Sequence, residues 1–174
     1  DVIHHNVKPS NVLISAMKEN DWIVVKEVKL GDLGGARMVQ RKESIVSIAR
    51  APVYLAPEMR VDGLPRTCAL DIFSCGVMVV QMCSGRIPAL ERYEEDLNHS
   101  QYPSITNRIG KPSLAENATD RPSAFSLVRE VMSLRLAVLG QYKSDHDRLG
   151  VYKLMKTLGG AEQVHIIAGA LSLI

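Results

Sequence analysis

Ile3-His4-His5-Asn6-Val7-Lys8-Pro9-Ser10-Asn11-Val12-Leu13-Ile14 reads as a polar loop that runs into a β-rich segment. Pro9 and Ser10 punctuate the chain, and Val12, Leu13 and Ile14 are the residue types that favour a pleated strand. Two adjacent histidines raise the question of a metal, but His99, His146 and His165 stand at no ligand spacing from them. Taken alone, the stretch is a loop that carries two asparagines and a lysine to the start of a strand. The rest of the chain gives it a meaning.

Beyond the loop, residues 11–15, 22–25 and 28–30 are short β-rich runs. Lys18-Glu19-Asn20-Asp21 separates the first two, and Gly31-Asp32 and Gly34-Gly35 close the third with turn formers. Residues 34–59 show no helical period, and a structureless stretch of about 25 residues inside a compact domain is usually functional. Residues 70–83 are apolar on nearly every face, which predicts a helix at the centre of the fold with Gly85 as its stop. Ser74, Cys75 and Gly76 are small enough for close backbone approach on that helix. A short helix is expected across 88–97. A last helix opens near Asp120 or Ser123, with Leu127, Val131, Leu134 and Val138 at helical spacing. Early strands followed by helices make an α+β arrangement, mainly helical.

Composition sets the outer limits. The 174 residues are 46% hydrophobic and 23% charged, which fits one packed domain and excludes wholesale disorder. Twenty-one basic against nineteen acidic residues give +2, so charge makes no case for nucleic acid as a partner. Cys68, Cys75 and Cys83 are too few for a disulfide framework and sit on or beside the apolar helix as core residues. The apolar tail 164–174 is shorter than the roughly 20 residues of a membrane span. No signal-peptide pattern opens the chain, and the expectation is an intracellular, cytoplasmic protein with no membrane partner. Asn98-His99-Ser100 and Asn117-Ala118-Thr119 match glycosylation sequons and are read as chance.

Five segments then fall in one order. The opening loop resembles the catalytic loop H-R-D-L-x-x-x-N of eukaryotic protein kinases, with His4, Lys8 and Asn11 in register. Lys29-Leu30-Gly31-Asp32-Leu33-Gly34 resembles the strand that ends in the D-F-G turn. Pro52-Val53-Tyr54-Leu55-Ala56-Pro57-Glu58 resembles the A-P-E end of an activation segment. Asp71-Ile72-Phe73-Ser74-Cys75-Gly76 is similar to the signature of the family's central helix, and Asp120-Arg121-Pro122 to its D-x-x-R-P element. The resemblance covers residues 1–139 and implies a protein-kinase-like large (C-terminal) lobe without the small lobe. Residues 140–174 are an unassigned tail.

The chemistry such a site needs can be stated from the residues. Phosphoryl transfer is mostly positioning and charge neutralisation around phosphate and Mg²⁺. Asp32, after a strand and before a glycine turn, can aim a carboxylate at a metal, with a turn carboxylate as the alternative. Asn11 offers an amide oxygen as a second hard ligand, or else caps a strand. Lys8 can neutralise charge on a transferred phosphoryl group. By resemblance, Asn11, Asp32 and Gly34 form the ATP and Mg site, and Lys8 marks a serine/threonine pattern. Glu58 and Arg121 resemble the family's buried ion pair. Asp71 either caps its helix or holds the backbone of the catalytic loop.

The pattern is broken in several places. Asn6 stands at the catalytic aspartate, and a neutral amide is no useful general base, a contribution of roughly 10²–10⁴-fold. His5 replaces the arginine before it, which weakens control by phosphorylation at Ser44 or Ser47. Arg50-Ala51 stands where the family has Gly-Thr. Between Asn11 and Asp32 the chain is about eight residues longer than the family pattern, which predicts an extended hairpin around Trp22. Pro112 predicts an irregular 107–118 region. The chain also lacks the glycine-rich loop and lysine that cradle ATP. The expected function is a partial Ser/Thr-type kinase domain, inactive as a bare chain, acting on a protein substrate when joined to its small lobe. The alternative is a pseudokinase-type scaffold that binds another protein. An apolar surface facing the absent lobe is expected to be exposed.

Overall fold

A computed structural model of the chain describes residues 2–19, 22–38, 52–61, 63–89, 93–98, 100 and 102–141. Ser44, Ser47, the Arg50-Ala51 pair and the tail beyond 141 lie outside the described residues.

The described residues form helices and two small sheets. β2 (Val12–Glu19) and β3 (Trp22–Leu30) make the extended hairpin, with Val12 opposite Leu30 and Ser15 opposite Glu27. The two runs expected at 22–25 and 28–30 are one strand. Ala16 pairs with Val25, so Lys26 is the extra residue of a bulge, and Lys26-Glu27 passes through the ladder instead of ending it. A second sheet pairs β1 (Val2–Ile3) with β4 (Arg37–Met38), antiparallel, with Ile3 opposite Arg37. The two sheets bracket the opening loop and the Asp32 turn, so these segments lie side by side although about thirty residues separate them in sequence.

α1 (Ala69–Ser84) is the expected central helix. Gly85 ends it at φ 72°, donating its N–H to the Gln81 carbonyl at 2.9 Å. One side of α1 packs Ile72, Val79 and Cys83 with Ile109, Leu127 and Val131. Leu70, Phe73 and Val77 pack on the other side with Ile3 and Ala56. The helix is thus the common wall of the helical core and of the opening loop. It keeps one wet position: Met82 is 41% exposed.

α2 (Tyr93–Asn98) is shorter than the expected 88–97 helix. Pro88 and Ala89 are not helical. α3 (Pro103–Ile105) continues through a π-helical turn (Thr106–Gly110) into α4 (Lys111–Ser113). The irregularity expected around Pro112 is therefore a helical one. Pro112 has no N–H for the ladder, and the wider turn in front of it, with Lys111 bonding back to Thr106, takes up the misfit. α5 (Ala124–Gln141) opens where expected, Ser123 Oγ accepting the Ser126 N–H at 3.1 Å.

Candidate functional site

The opening loop is held from below by α1. Asp71 accepts the His4 N–H at 2.6 Å with one carboxylate oxygen and the His5 N–H at 2.9 Å with the other. Two backbone donors that would otherwise be buried without partners are satisfied by one side chain. This grip also maintains His5 at φ 67°, a left-handed conformation that costs a non-glycine residue about 1–2 kcal/mol.

Side chains of the loop then reach the facing turn. His4 Nδ1 accepts the Asn6 N–H at 3.2 Å, so the ring proton sits on Nε2 and is donated to the Gly31 carbonyl at 2.9 Å. His5 Nδ1 donates to the Gly35 carbonyl at 3.1 Å. Both histidines are thus spent on backbone, on either side of Asp32. Gly31 N–H donates to the Asn11 carbonyl at 2.8 Å and closes the hairpin end.

Three predicted site residues meet at one point. Asn6 Nδ2 donates to Asp32 Oδ2 at 2.5 Å, and Asn11 Nδ2 approaches the same oxygen at 3.4 Å while donating to the Asn6 carbonyl at 2.7 Å. Asp32 is itself left-handed, at φ 61°, and leads into the short turn Leu33–Gly35 that contains Gly34. Lys8 is half-buried at the head of the Pro9–Asn11 turn. It lines a small cleft with Asn6, Tyr54, Leu55, Met59 and Ser74, so the lysine faces the 52–59 segment across the loop.

Glu58 and Arg121 lie away from this point, under the same segment. Their contact is bidentate, at 2.6 and 2.8 Å, and Arg121 also donates to the carbonyls of Ala69, Ala115 and Glu116. The guanidinium stacks 5.0 Å from the centre of the Phe73 ring, and its side chain is fully buried. Ser74 Oγ donates to the Tyr54 carbonyl, Tyr54 Oη to Gln81 Oε1, and Tyr93 Oη to the Val53 carbonyl at 2.6 Å. Burial pushes the Tyr93 phenol up to about 12, and burial with the nearby Asp71 carboxylate does the same to the Cys75 thiol. Both stay protonated at neutral pH, which makes Cys75 a poor nucleophile.

The bridging role of the His4 ring is a contact that sequence reasoning missed. Its only signal was the position of His4 at the head of the loop motif. The Asn6–Asp32 bond had none, because it joins residues 26 apart through side chains.

A family model described as "Protein kinase domain" matches residues 1–156. The chain is 28% identical over 173 residues to the serine/threonine-protein kinase PkaA of Streptomyces coelicolor, covering 94% of this chain and 29% of that protein. It is 33% identical over 116 residues to the probable serine/threonine-protein kinase gdt4 of Dictyostelium discoideum, covering 67% of this chain and 7% of that protein. Mouse serine/threonine-protein kinase D3 is 37% identical over 99 residues, 56% of this chain and 10% of that protein. The chain spans less than a third of the length of each. Among the described residues, no helix is long and apolar enough to cross a membrane.

Proposed function

The chain belongs to the protein kinase domain family, and we propose that it is the large, C-terminal lobe of a Ser/Thr-type member that binds nucleotide but transfers phosphate poorly or not at all. Residues 1–139 form the lobe in this reading, and 140–174 a tail outside it. The observation that carries the proposal is Asn6, whose side-chain amide donates to Asp32 where the family's reaction needs a base to accept a proton. An amide can orient a substrate hydroxyl by hydrogen bonding. It cannot take the proton away.

The nucleotide side fits better. Asp32 and Asn11 bring a carboxylate and an amide together, with the Asn11 Nδ2 turned toward Asp32. An Asn11 side chain turned to present its oxygen would complete a hard-oxygen pair suited to Mg²⁺ that is also held by phosphate. When bound, Mg²⁺ with ATP supplies charge neutralisation at the transferred phosphoryl group. In this reading Lys8 adds a positive charge on the substrate side, Gly34 belongs to the nucleotide-facing turn after Asp32, and Asp71 fixes the loop that carries Asn6 and Lys8. Glu58 and Arg121 tie the 52–60 segment to the helices.

The natural partners in this reading are a protein substrate, or a scaffolded protein, and the small lobe of a longer chain. The scaffold reading is favoured by one further observation. On the β2–β3 hairpin Leu13 and Met17 lie on one face and Ile14 and Val25 on the other, each about half exposed or more, so both faces carry apolar side chains that a partner could cover.

The test is thermal unfolding of the full chain with and without Mg²⁺ and ATP. Ligand at 100 times its dissociation constant stabilises by about 2.7 kcal/mol, a shift of several degrees at this size. A Mg²⁺-dependent ATP shift without phosphate transfer to a generic Ser/Thr peptide supports the proposal. No shift in a cooperatively melting sample removes the nucleotide half of it and leaves the scaffold.

A further inference from the structure

Asp32 is an exposed carboxylate in a strained, left-handed conformation, and both polar side chains that reach it among the described residues are amides. A carboxylate aimed at a metal is ordinarily kept in place by the cation's charge. Here Asn6 donates its amide N–H to Asp32 Oδ2 at 2.5 Å, and Asn11 makes a longer contact of 3.4 Å to the same oxygen. Asn6 is itself fixed: its N–H is taken by His4 Nδ1 and its carbonyl by Asn11. An aspartate at position 6 would set two carboxylate oxygens about 2.5 Å apart, an arrangement that needs a proton or a cation between them.

We propose that Asn6 is a positioning residue that stands in for a divalent cation at Asp32, so that the loop and the Asp32 turn stay joined without metal. The inference rests on the reading of Asp32 as the metal-facing carboxylate and adds what holds it when no metal is bound. The chain trades the base for a site whose geometry is independent of Mg²⁺. Mg²⁺ and the Asn6 amide compete for the same Asp32 oxygen, so the amide also weakens metal binding.

The experiment compares unfolding midpoints of the full chain in EDTA and in millimolar MgCl₂, without nucleotide. The wild-type midpoint is expected to be the same in both. Asn6→Asp is expected to melt at least about 3 °C lower in EDTA and to recover in MgCl₂. The swap Asn6→Asp with Asp32→Asn restores an amide–carboxylate bond of reversed polarity, and it is expected to melt near wild type in EDTA with no response to MgCl₂. The proposal is overturned if Asn6→Asp matches wild type in EDTA, if wild type responds to MgCl₂ as strongly as Asn6→Asp, or if the swap is no better than the single variant. Should Asn6→Asp fail to fold in EDTA, the swap decides: a folded swap supports the proposal and an unfolded one overturns it. A parallel arm with ATP reads the nucleotide site separately. Loss of the ATP shift with the EDTA pattern intact removes the nucleotide reading and keeps the role of Asn6.

Discussion

Gly76 lies so close to Ser113 that a Cβ added to the glycine would stand 2.8 Å from the serine Cβ, with Leu114 side-chain atoms at 3.1 and 3.2 Å. Here α1 passes the end of α4 with backbone nearly against side chain. Ser113 is fully buried and donates to the Ile109 carbonyl at 2.7 Å, so it cannot move aside without losing that bond. Gly76→Ala is therefore expected to destabilise by about 1–3 kcal/mol through overpacking, despite the better helix propensity of alanine. Denaturant unfolding measures it, and a variant as stable as wild type would mean that the two elements can separate cheaply.

Arg121 has all of its donor groups engaged, two on Glu58 and the rest on three backbone carbonyls. Removing charge from one side leaves the other buried and uncompensated. Glu58→Gln is expected to cost about 3–5 kcal/mol, which lowers the unfolding midpoint by about 2–4 °C per kcal/mol. Arg121→Lys is expected to cost nearly as much, because a single ammonium cannot serve the carboxylate fork and three carbonyls together. A mild effect of Arg121→Lys would show that charge alone accounts for the pair.

Asp71→Asn leaves one acceptor oxygen where the His4 and His5 N–H groups need two. One buried donor then faces an amide NH₂. The expected loss is about 1–3 kcal/mol, with faster hydrogen exchange at the His4 and His5 amides than at the α1 amides. Equal exchange in the variant and wild type would place the control of the loop elsewhere.

Alkaline pH tests the buried Cys75 and Tyr93. Their proton-binding forms are favoured by the fold, with values raised to about 12 from ordinary values of 9.0 and 10.0. The unfolded chain therefore gives up these protons first, so the stabilisation is complete below pH 9 and is lost between about 9 and 12. Relative to wild type, Cys75→Ala is expected to flatten the decline from its lower end. Tyr93→Phe should flatten only the part above pH 10. Unfolding free energies measured from pH 7 to 11 check both, and parallel curves for all three proteins would contradict the assignment.

Much of the frame was legible in the residues, and for physical reasons. Apolar residues on every face of 70–83 leave a helix nowhere to go but the centre, and Ser123 announces the start of α5 because its hydroxyl can cap. The five-segment order pointed to the family that the comparisons show. Less legible was anything decided by contact between distant segments. Lys26 reads as a break in a strand until a bulge opposite Ser15 and Ala16 absorbs it. Pro112 reads as a helix breaker, yet a wider turn in front of it keeps the helix going. Asn6 reads as a lost base, and only the folded chain sets its amide against Asp32.

The Glu58–Arg121 pair also has a consequence in time. The two residues are 63 positions apart, and a ribosome adding about 5–20 residues per second needs about 3–13 s to cover that distance. During that interval the acidic half of the bond has left the peptidyl-transferase centre while its partner is unmade. The 52–60 segment therefore waits, and nascent chains stalled before Arg121 should be far more open to protease near Glu58 than those released after it.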